Sequence, residues 1–195
     1  MQKITLDAAP RRPWKNGGGV TRELAIAPAG TGLDDFDWRI SCAQVASGGP
    51  FSPFPGIDRS LAVLAGAGLR LDFAGADPLT LDEACAPLAF RGEQAVNAEL
   101  LGGAVSDFNV MTRRTRWTHR LESLTLHGAH ALDRRADGLF IYCGTGAGLN
   151  CRLADGRCIA LPPGEGLLFD AADGWPSGLE AEAAVRVLLV WLWRR

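Results

Sequence analysis

The residues of this chain that could do chemistry are arginines, carboxylates and amides, because histidine is nearly absent. Arginine supplies 18 of the 20 basic side chains, against three histidines, His119, His127 and His130. A planar guanidinium makes two parallel charge-assisted hydrogen bonds to a carboxylate, so two or three arginines converging on one cavity would suit an acidic ligand. The candidates are Arg22 and Glu23 after Thr21, Arg39 on the same strand face as Ser41, Asp58 and Arg59 at the end of PFPGIDR, and Asn109 in DFNVM. For any one of these arginines the simpler reading is an ion pair with a carboxylate on a neighbouring strand. Arg22 and Glu23 are adjacent and point to opposite faces of a strand, so at most one looks inward, and Glu23 is the expected one.

A transition metal needs three or four convergent N and O ligands. The chain has no HxH, and the HxxH of His127 and His130 falls in HGAHALDRR, read as a surface turn. Five cysteines (Cys42, Cys85, Cys143, Cys151, Cys158) show no CxxC spacing and are odd in number, which argues against a disulfide framework and a zinc site. They read as reduced thiols, mostly in the core. No metal and no cofactor is expected. NGGGV at Asn16 to Val20 could cradle an anion on consecutive backbone N–H groups. It lacks the spacing of a nucleotide loop and no helix follows, so a flexible turn is the better reading. In GPFSPFPGIDR three prolines hold Ser52 in a rigid frame beside Phe51 and Phe54. This is either a preorganised binding lip or a proline-rich connection, and no GxSxG elbow marks Ser52 as a nucleophile.

Strands must position these groups. FDWRISCAQV alternates Phe36, Trp38, Ile40 and Cys42 with Asp37, Arg39 and Ser41, the pattern of a half-buried antiparallel strand. Similar reasoning places strands at 21–27, 59–64, 68–73, 118–126, 138–142, 149–153, 166–169 and 185–193. One short helical turn is expected around Leu81 to Ala86, introduced by Thr80 or Asp82. The segments from Leu61 and from Leu139 repeat each other: Gly66, Gly68 and Leu69 match Gly146, Gly148 and Leu149 at an offset of 80, which also carries Leu79 to Ile159 and Leu81 to Leu161. Each copy runs strand, GxGL turn, strand, Asp/Gly turn, strand, proline-marked turn, strand. Twenty-four glycines and 11 prolines are the punctuation. Periodicity alone licenses a sandwich or barrel.

The 195 residues, 47% apolar and 22% charged with a net charge of −2, exclude disorder and give no basic field for nucleic acid. The N-terminus has no apolar h-region, and the longest apolar run, Val185 to Trp193, is far short of the ~20 residues a membrane helix needs. A cytoplasmic protein with no membrane partner is expected.

LxGxGxL followed by LPPGEGLLF resembles the cupin family, and two such units imply an all-β bicupin, a duplicated double-stranded β-helix (jelly roll). The expected units are residues 1–115, carrying the motifs, and 116–195. Four segments resemble the HutD/Ves family: WKNGGGVTREL, FDWRISCAQV, GPFSPFPGIDRSLAVLAGAGL and GGAVSDFNVMTRR. That resemblance implies a bicupin linked to histidine utilisation or stress response, described as a small-ligand binder or regulator, with formylglutamate or urocanate as candidate ligands. It falls on Lys15 and Asn16, which join Arg22, Glu23, Arg39, Ser52, Asp58, Arg59 and Asn109 as expected ligand contacts. Cupin enzymes hold their metal on an HxH, a glutamate and a third histidine, which this chain lacks. The expected function is a metal-independent regulator or accessory factor binding an acidic metabolite in its first unit, the second being scaffold. The alternatives are a cupin-type isomerase or hydrolase with Glu23 or Asp58 as base, and an interaction module using Trp191 and Trp193. A homodimer is compatible with any of these.

Overall fold

The computed structural model describes residues 1–14, 17–133 and 136–195. After β1 (Gln2–Thr5) and a single 3-10 turn at Leu6–Ala8, every element is a strand. Residues Ala9–Thr118 with Arg195 form one compact unit, and Met1–Ala8 with His119–Arg194 form the other. The division therefore differs from a cut at residue 115, because β1 belongs with the C-terminal strands.

The N-terminal unit contains β2 (Arg11–Pro13), β3 (Gly19–Ala27), β4 (Trp38–Val45), β5 (Gly49–Pro50), β6 (Ile57–Ala65), β7 (Leu69–Phe73), β8 (Leu79–Leu81), β9 (Leu88–Arg91), β10 (Val96–Leu100) and β11 (Val105–Arg113). They make a six-stranded sheet, β2-β3-β4-β11-β6-β9, and a four-stranded sheet, β5-β10-β7-β8. Leu61, Val63, Phe90 and Val105 of the larger sheet pack with Leu69, Leu71, Leu81, Val96 and Ala98 of the smaller, which defines the inner face.

The C-terminal unit contains β12 (Trp117–Ala131), β13 (Gly138–Gly146), β14 (Leu149–Leu153), β15 (Cys158–Leu161), β16 (Glu165–Asp170) and β17 (Pro176–Arg194). Its single sheet runs β1-β16-β13-β17-β14-β15, with β12 on β17. The first part of β17 pairs with β14 and the remainder with β13, so one long strand serves two partners and lets the sheet curl around its core.

The two units repeat each other in hydrogen-bond register. Leu69 faces Leu81 and Leu71 faces Leu79; 80 residues on, Leu149 faces Leu161 and Cys151 faces Ile159. Likewise Val63 opposite Asp107 becomes Cys143 opposite Val187. The turn glycines repeat too. Gly66 and Gly146 have φ of 104° and 125°, and a Cβ there would lie 2.6 Å from the Ala104 carbonyl oxygen or 2.5 Å from that of Ala184. With this register in both units, the fold is the all-β cupin jelly roll.

Some local expectations differ. Leu81 to Ala86 forms a turn introduced by Asp82, whose carboxylate accepts the backbone N–H groups of Ala84 and Cys85, but no helix follows it. His127 and His130 lie in β12 rather than a turn. Val105–Arg113, not expected as a strand, is central to its sheet. Cys42, Cys143 and Cys151 are buried, but Cys158 is exposed and Cys85 intermediate. Burial pushes the Cys143 thiol up to about 11 and Cys151 to about 12, which leaves them inert at neutral pH.

Gly66→Ala is expected to cost on the order of 2–4 kcal/mol, from the strained φ and the carbonyl clash together. Gly75 also has positive φ (80°) but nothing within 4 Å of a built Cβ, so Gly75→Ala should cost only about 1 kcal/mol. Urea denaturation of the two variants measures the difference.

Candidate functional site

Residues directly opposite one another in an antiparallel sheet share a face, so register assigns each candidate to a side. Opposite Arg39 on β4 lies Met111 on β11, opposite Met111 lies Arg59 on β6, and opposite Arg59 lies Phe90 on β9. One step along, Glu23, Ser41, Asn109 and Leu61 form the next row. The row after that is Thr21, Ala43, Asp107 and Val63. Leu61, Val63 and Phe90 belong to the core, so all three rows lie on the inner face.

Glu23, Arg39, Arg59 and Asn109 are thus brought together inside the N-terminal unit. Arg22 and Asp58 occupy the opposite face, Arg22 across from Cys42 and Asp58 across from Thr112 and Arg91. Asp58 accepts Arg114 Nε at 2.7 Å, while the same guanidinium forks onto Glu93 at 2.9 and 3.0 Å. Ser52 is exposed on its loop. Lys15 and Asn16 lie outside the described residues. Strand β4 is not half-buried as its alternation suggested: Arg39 and Ser41 are only 7% and 2% exposed.

The inner face is strongly polar for a sandwich interior. Arg39 Nε donates to Glu23 Oε2 at 2.8 Å, and Arg12 Nη2 stands 3.8 Å from Glu23 Oε1. Arg59, 7% exposed, is held over three rings, 4.9 Å from the centroid of Phe90, 5.1 Å from Phe51 and 5.8 Å from Phe54. The proline-rich loop supplies two of those rings; its Phe51 and Phe54 backbone N–H groups are tied to Val96 and Gly92 carbonyls. Cation–π contact stabilises the guanidinium but leaves its hydrogen-bonding capacity open. Arg59 Nε, Asp107 Oδ1 and Asn109 Oδ1 are buried with no hydrogen-bond partner among the described residues.

Asp107 was missed by sequence reasoning, although it lies in a quoted motif. Carrying the 80-residue register beyond the glycine turns would have found it. That register sets Arg59, Asp107, Asn109 and Met111 against Leu139, Val187, Leu189 and Trp191. All four of those belong to the apolar core of the C-terminal unit. Three of these scaffold positions, occupied by Leu139, Val187 and Leu189 in one copy, are therefore hydrocarbon there and charged or amide in the other, where Arg59, Asp107 and Asn109 stand.

Burial raises the Asp107 carboxyl to about 7, against the opposing influence of Arg59 and of a hydrogen bond from the Ala43 backbone. Burial likewise lowers Arg59 to about 10, partly offset by Asp107 and reinforced by Arg39, so Arg59 remains a cation at neutral pH. Among the described residues no three His, Cys, Asp or Glu side chains converge as metal ligands. The inner face does not suit the cupin metal, because two guanidiniums stand where neutral or anionic donors would be needed.

The C-terminal unit holds a groove of about 340 Å³ lined by Arg120, Glu122, His130, Trp191 and Trp193 among others. Its polar groups satisfy one another: Trp191 Nε1 donates to Glu122 at 2.9 Å and Arg120 pairs with it at 2.7 Å. Trp191 is buried, so it makes no exposed apolar patch.

The family model that matches residues 7–189 is HutD. The chain belongs to the HutD family. It is 43% identical over 124 residues to a 21.2 kDa protein of the hutC 3′ region of Pseudomonas putida, covering 63% of each chain. It is 40% identical over 114 residues to protein Ves of Escherichia fergusonii, covering 58% of each. These alignments span about three fifths of the relatives' length. Two solved structures align nearly end to end. A conserved protein of unknown function from Pseudomonas aeruginosa PAO1 gives a TM-score of 0.90 at 33% identity, covering 98% of both chains. HutD of Pseudomonas fluorescens SBW25, solved in a formate condition, gives 0.84 at 29% identity, covering 100% of this chain and 98% of that one. A cupin barrel protein from Leptotrichia buccalis, at 11% identity and a TM-score of 0.62, shares the fold. No helix among the described residues is long and apolar enough to cross a membrane.

A carboxyl raised from 3.8 to about 7 takes up a proton on folding between those values, so stability falls as pH rises from about 4 to 7. Glu93, lowered to about 2 by Arg114, and Asp82, Asp155 and Asp173, also lowered, act below that window. The expected outcome is that Asp107→Asn flattens the decline between pH 4 and 7 and is more stable than the parent at pH 8. Denaturant midpoints across that range measure it.

Proposed function

We propose that this HutD-family protein binds a small acidic metabolite on the inner face of its N-terminal unit, without a metal, and serves as a regulator or accessory factor of histidine utilisation. The observation that carries this is the buried Arg59 Nε without a partner, beside Arg39, in the copy of the duplicated fold where the sister copy is hydrocarbon. A carboxylate would satisfy that donor and offset the buried Arg59 cation at once, Arg39 being already paired with Glu23. The hutC-region setting of the Pseudomonas putida relative supports the pathway. Formylglutamate and urocanate are the first ligands to test. We assign it to the cytoplasm.

A second reading, an acid–base enzyme, has one observation in its favour. Asp107, with its carboxyl near 7, is matched to proton transfer at neutral pH. Glu23 and Asp58, the bases expected from sequence, are instead held by Arg39 and Arg114. Turnover of a histidine-pathway intermediate, lost in Asp107→Asn, would establish this reading over pure binding.

Calorimetry with formylglutamate, urocanate, glutamate and formate tests the binding proposal. Saturable heat with at least one of them is expected, weakened more than tenfold by Arg59→Gln, since hydrogen bonds to charged groups are worth about 1.5–3 kcal/mol. No heat above buffer with any of the four would refute it.

A further inference from the structure

The carboxylate-binding reading accounts for Arg59 and Arg39 but leaves a buried carboxylate in the same site. Asp107 is 5% exposed, the Ala43 backbone N–H supports it, and its Oδ1 has no partner among the described residues. Once Asp107 is ionised, an anionic ligand that offered nothing but oxygen acceptors would leave its Oδ1 unsatisfied and place like charges together in a low-dielectric interior, which is unfavourable. A ligand with an N–H group at the other end of the molecule would complete the hydrogen bond. The rows of the inner face separate the two functions. The arginines stand at the level of Met111 and Asp107 two inward-facing positions further along the strand, about 13 Å between backbone levels. Asn109 lies between them, and its carboxamide can turn either its oxygen or its N–H toward a ligand.

We infer that Asp107 is a specificity-determining residue whose Oδ1 accepts an N–H from the ligand, so that the site selects carboxylates carrying an N–H donor over plain carboxylates. This rests on the carboxylate-binding reading and extends it from an anion site to a site with an anion end and a donor end. N-acyl amino acids and acids bearing an imidazole N–H share that chemistry. The sister copy shows that the position does not need a carboxylate for the fold, since Val187 occupies it there within a packed core.

The charged groups around Asp107 on its face are Arg12 on β2, Glu23 on β3, Arg39 on β4 and Arg59 on β6. The smaller sheet contributes apolar Leu69, Leu71, Leu81, Val96 and Ala98 to the shared core, with the Cys85 thiol at its margin. Raising the pH through neutrality ionises Asp107, which strengthens its acceptor and with it the preference for an N–H ligand.

The test compares two probes by calorimetry, N-acetyl-L-glutamate and its N-methyl derivative, which differ in the amide N–H. The parent protein is expected to bind the N–H probe at least tenfold more tightly, with the ratio growing from pH 6 to pH 8. In Asp107→Leu the ratio should fall to about twofold or less. Asp107→Asn keeps an acceptor in place; it should retain part of the preference and lose its pH dependence, and it serves if the leucine variant does not fold. Equal binding of both probes by the parent overturns this inference and leaves the carboxylate-binding reading standing. A preference unchanged in Asp107→Leu, or in Asp107→Asn with its pH dependence intact, also overturns it, because the added methyl would then be discriminated by shape. Binding of neither probe overturns the inference, and only a further failure of formylglutamate, urocanate, glutamate and formate would overturn the parent reading with it.

Discussion

A guanidinium and a carboxylate taken out of water into the interior of a β-sandwich cost several kcal/mol each unless something replaces their hydration. The N-terminal unit carries that burden on one sheet face, with Arg39, Arg59, Glu23 and Asp107 all turned away from solvent, and the surrounding structure is arranged to limit it. Glu23 is matched to Arg39, three aromatic rings surround Arg59, and the Ala43 backbone supports Asp107. What is left uncompensated among the described residues of this face is one donor, Arg59 Nε, and two acceptors, Asp107 Oδ1 and Asn109 Oδ1.

Duplication explains how a small chain tolerates this. Both copies keep the same hairpin registers and the same glycine turns, so the backbone is specified twice by the same rules. In the C-terminal copy the corresponding inward positions are Leu139, Val187 and Leu189, packed with Ile141, Cys143 and Trp191. Hydrophobic burial there supplies stability without polar conflict, and the other copy departs from the apolar pattern at positions where only function gives a reason.

Much of this was legible in the sequence. The strands of both hairpins and the repeat followed from period-two patterning and glycine spacing, while the bicupin architecture came from the repeat together with the resemblance to the cupin family. Glu23, Arg39, Arg59 and Asn109 were selected as polar and charged groups able to converge on an acidic ligand, and the structure sets them on one face. Asp107 was not legible by that route. Period-two logic assumes one wet face, whereas β4 and β11 are buried on both, and no strand was expected over Val105–Arg113, so nothing set Asp107 beside Arg59. Asp58 and Arg59 were chosen together, yet alternation sends them to opposite faces. Sequence proximity is a poor guide to proximity across a sheet.

For the proposed carboxylate ligand, the confinement of Arg59 by three rings bears on affinity. A free arginine side chain carries about 2 kcal/mol of rotamer entropy, and a ligand that must freeze it loses that much from the interaction. Here Phe51, Phe54 and Phe90 have already confined the side chain, and the loop bearing two of those rings is itself stiffened by proline. The ordering cost is met during folding rather than at the moment of binding. A metabolite of a dozen atoms, with little surface to bury, gains most from such an arrangement, and flexibility introduced into the loop would weaken binding even though no contact atom had changed.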